Sequence, residues 1–276
     1  MIASTICYLR PDSAEEAVGA WTCNPGSRYL SGGTEISTMA RRSASYPVSY
    51  LIDIKRIAET TTLHVDEDML MLGASLPLSN IADSGYFPLL TSTIQGIADR
   101  TTRNRLSLGG NIAGSLPYRE AVIPLLLADA RCTSIVPGNG SQAPQRKEWQ
   151  LRERFNKRLL LEPGELLLSC SIPRSFTSLP WSHQRRTRTG RVDYPLVTLC
   201  LVKDATRYVL GVSGAHPYPL RTDDADAALS TKANNSERID NALLALGLPT
   251  ADHRASAEYR AALLKIMLEF TLKKLS

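Results

Sequence analysis

The stretches SGGTEI (residues 31–36) and RLSLGGN (residues 105–111) decide the fold of this chain. Each follows a short apolar segment and places two adjacent glycines before polar side chains. Adjacent glycines let the backbone turn tightly and approach a ligand, and successive N–H groups can form a nest for an anion. The hydroxyls of Ser31 and Thr34 can donate hydrogen bonds to phosphate oxygens. Each loop alone is also compatible with a plain strand-to-helix turn, so the rest of the chain must decide between the two interpretations.

The flanking segments predict a mixed fold of helices and strands. Residues 27–30 lead as a strand into the first loop, and residues 50–54 (YLIDI) have the alternation of a strand. A change of composition at residues 173–180 (PRSFTSLP) indicates a boundary. Beyond it we predict strands near 183–187, 194–202 and 207–213 and helices near 222–229, 236–246 and 256–274.

Composition excludes several classes of protein. Of the 276 residues, 43% are hydrophobic and 21% are charged, as in ordinary globular proteins. No apolar run approaches the roughly 18 residues that span a bilayer, and the start lacks the features of a secretory signal. We therefore expect a cytoplasmic protein without a membrane span. The net charge of +5 is mild, and in the basic segment 145–158 the interleaved Glu148 and Glu153 favour a solvated face over a nucleic-acid arm.

The residues that usually bind metals or perform catalysis are scattered. The five cysteines and four histidines form no CxxC, HExxH or HxH pattern, so we predict no metal site, no iron–sulfur cluster and no disulfide framework. The GxGxxG, P-loop and GxSxG motifs are also absent from the sequence. We expect no catalytic side chain, and the chemistry must come from a cofactor.

Around the two glycine loops, the sequence resembles the FAD-binding (medium) subunit of molybdenum hydroxylases, the family of xanthine dehydrogenase and carbon monoxide dehydrogenase flavoproteins. The resemblance runs nearly end to end. The matching stretches, in chain order, are YLRPDSAEEAV, SGGTEI, LIDIKRI, MLMLGASLPLSNIA, TRNRLSLGGNIA, LEPGELLLSCSIP, QRRTRTGRVDYPLVTLCLV, GVSGAHPYPLR and DHRASAEYRAALLKIML.

The resemblance implies an α+β chain with two domains. Residues 1–173 would form a two-subdomain FAD-binding α/β domain of the PCMH (vanillyl-alcohol-oxidase-like) type, with subdomains at about 1–54 and 55–173. Residues 174–276 would form a C-terminal domain, a three-stranded antiparallel sheet with helices. In this family the flavin lies between the two N-terminal subdomains.

The resemblance also implies which residues bind the cofactor, and the two loops are expected to contact the FAD pyrophosphate and the adjoining sugar groups. Carried over by position, the expected contacts are Leu30, Ser31, Gly32, Gly33, Thr34, Glu35, Ser107, Leu108, Gly109, Gly110 and Asn111, with Glu120, Leu166 and Arg185 further along. Three of these depart from the family pattern. Ser107 follows Leu106 where the family usually has Ala-Thr. Glu120 stands where the family has Asp, with one extra residue before Pro124, and Arg185 stands near a position that is often Lys.

The resemblance implies an electron-transfer subunit of a xanthine dehydrogenase-like oxidoreductase. A separate large chain would hold molybdopterin, and a small chain would carry iron–sulfur clusters that feed electrons to FAD, which then reduces an acceptor such as NAD. Two alternatives stay open. One is a scaffold subunit of the same fold with weak or lost FAD binding, and the other, which the missing RNA-binding motifs disfavour, is a basic nucleic-acid-binding module.

Overall fold

The computed structural model describes residues 6–42, 46, 48–138, 142–190 and 192–275, and the chain forms two compact units. The first falls within Met1–Ile81, Arg100–Gly114 and Ala130–Ile172. The second falls within Ala82–Asp99, Ser115–Asp129 and Pro173–Ser276. The predicted division into domains at residue 173 stays a prediction, and residues 139–141 of a segment rich in Gly and Pro lie outside the described residues.

The described strands form four sheets. The strands are β1 (Cys7–Leu9), β2 (Ser27–Leu30), β3 (Tyr50–Asp53), β4 (Leu63–Val65), β5 (Met69–Gly73), β6 (Arg131–Val136), β7 (Gln145–Gln150), β8 (Phe155–Asn156), β9 (Arg158–Leu159), β10 (Leu166–Pro173), β11 (Trp181–Thr187), β12 (Pro195–Asp204) and β13 (Arg207–Ser213). The first unit contains a parallel sheet of order β1-β3-β2, a five-stranded sheet of order β4-β5-β10-β6-β7 and the β8-β9 pair. The second unit contains the sheet β11-β12-β13.

The helices are mostly short, and within the described ranges none is long and apolar enough to cross a membrane. They are α1 (Ala14–Cys23), α2 (Thr34–Arg42), α3 (Ala58–Thr61), α4 (Leu78–Ser84), α5 (Pro88–Gly96), α6 (Arg100–Arg103), α7 (Leu108–Ala113), α8 (Val122–Leu127), α9 (Leu151–Arg154), α10 (Arg174–Thr177), α11 (Asp223–Leu229), α12 (Asn235–Leu246) and α13 (Ala257–Leu275).

Polar side chains fix where the helices begin. Ser13 caps α1, because its Oγ accepts a hydrogen bond of 3.1 Å from the Glu16 N–H. The Glu16 carboxylate accepts from the N–H of Asp12, one residue earlier than a full capping box requires. At α13 the Ser256 hydroxyl accepts from the Tyr259 N–H in the same way.

Helix α1 provides the core of the first unit. Its buried residues Ala14, Ala17 and Val18 belong to one apolar cluster with β3 and with residues of β6 and β10. The parallel sheet and the five-stranded sheet of the unit therefore share this helix. Leu166 of β10 is a buried member of the cluster.

The second unit confirms the predicted three-stranded antiparallel sheet with helices. Its central strand β12 is buried from Pro195 to Val202. Val197, Leu199 and Leu201 belong to a cluster with α11, α12 and α13, whereas Thr198 and Cys200 bond to Glu120 and Thr93 from the other face. Because both faces are covered, the strand reads as a continuous apolar run instead of an alternating one.

A buried ion network joins segment 115–129 to the C-terminal part of the second unit. The side chain of Arg221 is almost fully buried and lies 2.9 Å from the Asp226 carboxylate and 2.8 Å from that of Asp129. It also donates to the Leu126 carbonyl at 2.6 Å, and Asp226 accepts from the N–H of Leu210 at 2.7 Å. Every side chain in the network forms a hydrogen bond or ion pair, so the loss of one member leaves buried polar groups of the others without partners.

We expect Asp226→Ala to lower the free energy of unfolding by about 3–5 kcal/mol, because it leaves the Arg221 guanidinium buried without its main counter-ion. The measurement is unfolding in urea. Asp240→Ala is the control, since Asp240 forms an exposed ion pair with Lys265 and should cost less than about 1 kcal/mol. Equal costs for the two variants would contradict this account of the network.

Candidate functional site

The first glycine loop links a strand to a helix at the carboxyl edge of the parallel sheet. Strand β2 ends at Leu30, the chain turns through Ser31, Gly32 and Gly33, and α2 begins at Thr34. Gly33 has a φ of +68°, a left-handed conformation that side chains with a Cβ rarely adopt. Ligands of parallel sheets bind outside the carboxyl ends of the strands, which is where this loop lies.

The second glycine loop is fixed by backbone hydrogen bonds to the segment that follows β5. The N–H of Leu108 donates to Leu76 at 3.0 Å, the N–H of Gly109 donates to Ala74 at 2.7 Å, and the Leu106 carbonyl accepts from Leu78 at 2.8 Å. Ser107 is the N-cap of α7 and accepts from the N–H of Gly110. A Cβ on Gly109 would lie 2.8 Å from the Cβ of Ala74, so this contact needs a glycine.

The two glycine loops touch each other. A Cβ added to Gly32 would lie 1.8 Å from the carbonyl oxygen of Arg105 and 3.0 Å from its carbonyl carbon. Real Cβ atoms do not approach backbone so closely, so a side chain at residue 32 would force the loops apart. The two motifs predicted separately from the sequence therefore form one structure.

A cleft of about 470 Å³ opens where the two loops meet. Four of the residues that line it were predicted from the sequence, namely Leu30, Ser31, Gly32 and Ser107. The other five were not among the expected contacts, although two of them, Asn104 and Arg105, lie at the start of the second glycine motif; the five are Lys55, Ser75, Pro77, Asn104 and Arg105. Lys55 follows β3 as Ser31 follows β2, so the cleft draws on the carboxyl ends of two adjacent parallel strands.

A lysine held by a buried carboxylate supplies positive charge to the cleft. The Lys55 Nζ lies 2.7 Å from Asp53 Oδ1 and donates to the Ser31 carbonyl at 3.2 Å. The Tyr8 hydroxyl donates to the other oxygen of Asp53. Burial alone would raise the pKa of Asp53, but the hydrogen bonds from Lys55 and Tyr8 outweigh it, and the pKa lies below its ordinary value. The carboxylate is therefore charged and holds the ammonium group in place.

Two hydroxyls at the cleft are left without partners. Within the part of the chain that the structure describes, the buried Oγ atoms of Ser31 and Ser75 form no hydrogen bond, and neither does the Oδ1 of Asn111 in α7. Buried polar groups are normally paired, so two unpaired hydroxyls beside one cleft are free to take a ligand as their partner. The hydroxyls of Ser31 and Ser75 can donate, and the charged groups of Lys55 and Arg105 are donors only, which suits the pyrophosphate of a dinucleotide. The residues present thus fit FAD.

The remaining predicted loop residues lie next to the cleft or within the helices that follow. Thr34 and Glu35 form the first turn of α2 and are half-buried. The Glu35 carboxylate lies against the end of α7, where a Cβ on Gly114 would be 2.8 Å from it. Gly110 and Asn111 lie in α7. The side chain of Leu166 packs in the core of the first unit, so only its backbone remains available to a ligand.

Glu120 and Arg185 lie in the second unit and bind each other. The Arg185 Nε donates to Glu120 Oε1 at 2.9 Å and its Nη2 to Oε2 at 3.4 Å, while the Thr198 hydroxyl donates to Oε1 at 2.5 Å. The Nη2 of Arg185 also donates to the Asp193 carbonyl at 2.5 Å. Both side chains are mostly buried: that of Arg185 is 12% exposed and that of Glu120 is 4% exposed. Sequence reasoning missed this pair because 65 residues separate its members.

Comparisons with known proteins agree with the interpretation of the two glycine loops as part of an FAD-binding domain. Residues 4–175 match the model of a family described as the FAD binding domain in molybdopterin dehydrogenase. The chain is 23% identical to the carbon monoxide dehydrogenase medium chain of Afipia carboxidovorans, over 99% of this chain and 98% of that one. It is also 23% identical to the xanthine dehydrogenase FAD-binding subunit of Escherichia coli O157:H7, over 94% of this chain and 92% of the relative.

A comparison of structures finds the same group of proteins. The solved carbon monoxide dehydrogenase of Hydrogenophaga pseudoflava matches with a TM-score of 0.84 and 24% identity, covering 99% of this chain and 98% of the matched one. The family match covers well over half of the chain, and it includes both glycine loops. The chain therefore belongs to the family of FAD-binding domains of molybdopterin dehydrogenases, as the resemblance of its glycine loops predicted.

Proposed function

We propose that this chain binds FAD with the pyrophosphate in the cleft between its two glycine loops and serves as the electron-transfer subunit of a multi-subunit molybdenum hydroxylase. The observation that carries the proposal is the contact between Gly32 and the Arg105 carbonyl, with the unpartnered hydroxyls of Ser31 and Ser75 beside it. Bound flavin would supply the redox chemistry.

The chain's own residues bind and orient the cofactor in this proposal. The backbone of Gly32 and Gly33 lets the pyrophosphate approach closely, and the hydroxyls of Ser31 and Ser107 are placed to donate to its oxygens. The cationic side chains at the cleft, Lys55 and Arg105, offset its negative charge. Glu120, Leu166 and Arg185 remain proposed cofactor contacts.

The partners and the acceptor belong to the same proposal. An iron–sulfur small subunit would deliver electrons, a molybdopterin large subunit would oxidise the substrate, and an acceptor such as NAD would receive the electrons. Relatives named as medium chains and as subunits of dehydrogenase complexes support this assignment. A cytoplasmic location, predicted from the sequence, completes it.

The alternative is a scaffold subunit that keeps the fold with weak or lost FAD binding. One observation favours it, namely that the Glu120 carboxylate already accepts hydrogen bonds from Arg185 and Thr198. A carboxylate satisfied in this way does not need a cofactor hydroxyl as its partner.

Titration of the purified chain with FAD separates the two functions. We expect the chain to acquire the visible absorption bands of bound oxidised flavin and to quench the fluorescence of FAD, with saturation at one flavin per chain. A chain that remains colourless after reconstitution, although its circular dichroism shows that it is folded, would contradict FAD binding and support the scaffold alternative.

Gly32→Ala tests the contact between the loops. The added methyl group would lie 1.8 Å from the Arg105 carbonyl oxygen, so the loops must separate, and we expect FAD affinity to fall by more than about tenfold. Gly19→Ala is the control in the same unit. Apart from its chain neighbours and the adjacent backbone of α1, no described atom lies within 4 Å of a Cβ at Gly19. This variant should therefore bind FAD normally and gain about 0.5–1 kcal/mol of stability. Normal FAD affinity in Gly32→Ala would contradict the proposed position of the pyrophosphate.

The electron-transfer role is tested on the complex purified from its native host. We expect the chain to co-purify with iron and molybdenum, and the flavin to be bleached by NADH under anaerobic conditions if NAD is the acceptor. A quinol that bleaches the flavin where NADH does not would change the acceptor only. Isolation of the chain free of both metals would remove the support for the partners.

A further inference from the structure

We propose that Ser75 and Lys55, which lie outside both glycine motifs, form a phosphate-binding subsite on the side of the cleft between β3 and the segment after β5. The inference rests on the proposed function and deepens it, because it identifies the residues that recognise the anionic part of the ligand. The chemical class recognised is a phosphate or pyrophosphate ester.

Ser75 contributes a hydroxyl that the folded chain leaves unused. The residue is 5% exposed, its N–H donates to the Thr60 carbonyl at 2.7 Å, and it lines the cleft. Within the described residues its Oγ has no hydrogen-bond partner. A buried hydroxyl without a partner destabilises the free protein, and an acceptor oxygen on a ligand would remove that cost.

Lys55 contributes a charge that is fixed in position. Its ammonium has three N–H donors, and Asp53 Oδ1 and the Ser31 carbonyl account for two partners. Asp53 cannot turn away, because its carboxylate is buried and also accepts from Tyr8 and from the Lys55 N–H. The Lys55 side chain is 43% exposed and lines the cleft, so it can reach a ligand without leaving Asp53.

The Ser75 hydroxyl and the Lys55 ammonium group both favour a phosphate oxygen as their partner. A hydroxyl free to donate and an ammonium group both suit a phosphate oxygen, and Ser31 adds a second unpartnered hydroxyl beside them. The carboxylate that contacts Lys55, Asp53, is neutralised by it. The rival interpretation is structural: Lys55 serves only to neutralise Asp53, and Ser75 serves only to fill space.

Ser75→Ala distinguishes the two interpretations by a pair of opposite effects. Because the hydroxyl has no partner in the free chain, its removal should leave the thermal midpoint unchanged or raise it by about 2 °C. FAD affinity should nevertheless fall by about tenfold. Ser182→Ala is the control, since Ser182 is a buried serine of the second unit whose Oγ is also unpartnered among the described residues. It should show the same thermal behaviour with unchanged affinity. Unchanged FAD affinity in Ser75→Ala would overturn the role of this hydroxyl.

Lys55→Gln is tested with ADP and adenosine as competitors of FAD. We expect the dissociation constant of ADP to rise by about tenfold and that of adenosine by less than about twofold. The affinity of the unaltered chain for ADP should weaken with added salt, and the variant should lose most of that dependence. Lys147→Gln is the control, because Lys147 forms an ion pair with Glu162 in the same unit and does not line the cleft.

A second variant keeps the test valid if the first one fails to fold. If Lys55→Gln unfolds because Asp53 is left charged and buried, Asp53→Asn combined with Lys55→Gln removes that charge and should show the same selective loss of ADP affinity. Equal losses for ADP and adenosine, or none, would overturn the subsite. If the unaltered chain binds neither FAD nor ADP, the proposed function itself fails, whereas binding that is insensitive to Ser75 and Lys55 overturns only this inference.

Discussion

The close approach of Gly32 to the Arg105 carbonyl is the constraint on which the cleft depends. It brings together two loops that are more than 70 residues apart in the sequence, and no residue with a side chain fits at that point. The second loop is fixed in turn by hydrogen bonds to residues 74–78. Position is therefore transmitted from one backbone segment to the next, and side chains such as Ser31 and Ser75 take their places from it.

Much of this arrangement could be predicted from the sequence, because local chemistry determines it. Adjacent glycines predicted both loops, and three strands near 183–187, 194–202 and 207–213 were predicted where β11, β12 and β13 lie. The contributions of Lys55 and Ser75 could not be predicted, because a lysine after a strand and a serine in an apolar segment are common features. Their significance comes from the tertiary structure, which places one against Asp53 and leaves the other without a partner.

Two of the departures from the family pattern, at Glu120 and Arg185, are connected. Glu120 stands where the resemblance implies Asp, Arg185 stands near an expected Lys, and the two side chains form a buried pair. The guanidinium presents a planar fork that a single ammonium cannot imitate, and both oxygens of Glu120 accept from it. Each change is therefore understandable in the presence of the other. Together they satisfy two buried charges within the chain, and this pairing is the observation that favours the scaffold alternative.

The division of each unit among separate stretches of chain has a consequence for the order of folding. The first unit needs residues up to 172, and its second glycine loop lies between two stretches, 82–99 and 115–129, that belong to the other unit. During synthesis, the ribosome must therefore release most of the chain before either unit can be completed. Contacts between such distant segments form slowly, because the intervening chain must first lose entropy. We expect the emerging chain to expose apolar strands during that interval, and such surface is prone to aggregate until the unit that buries it is complete.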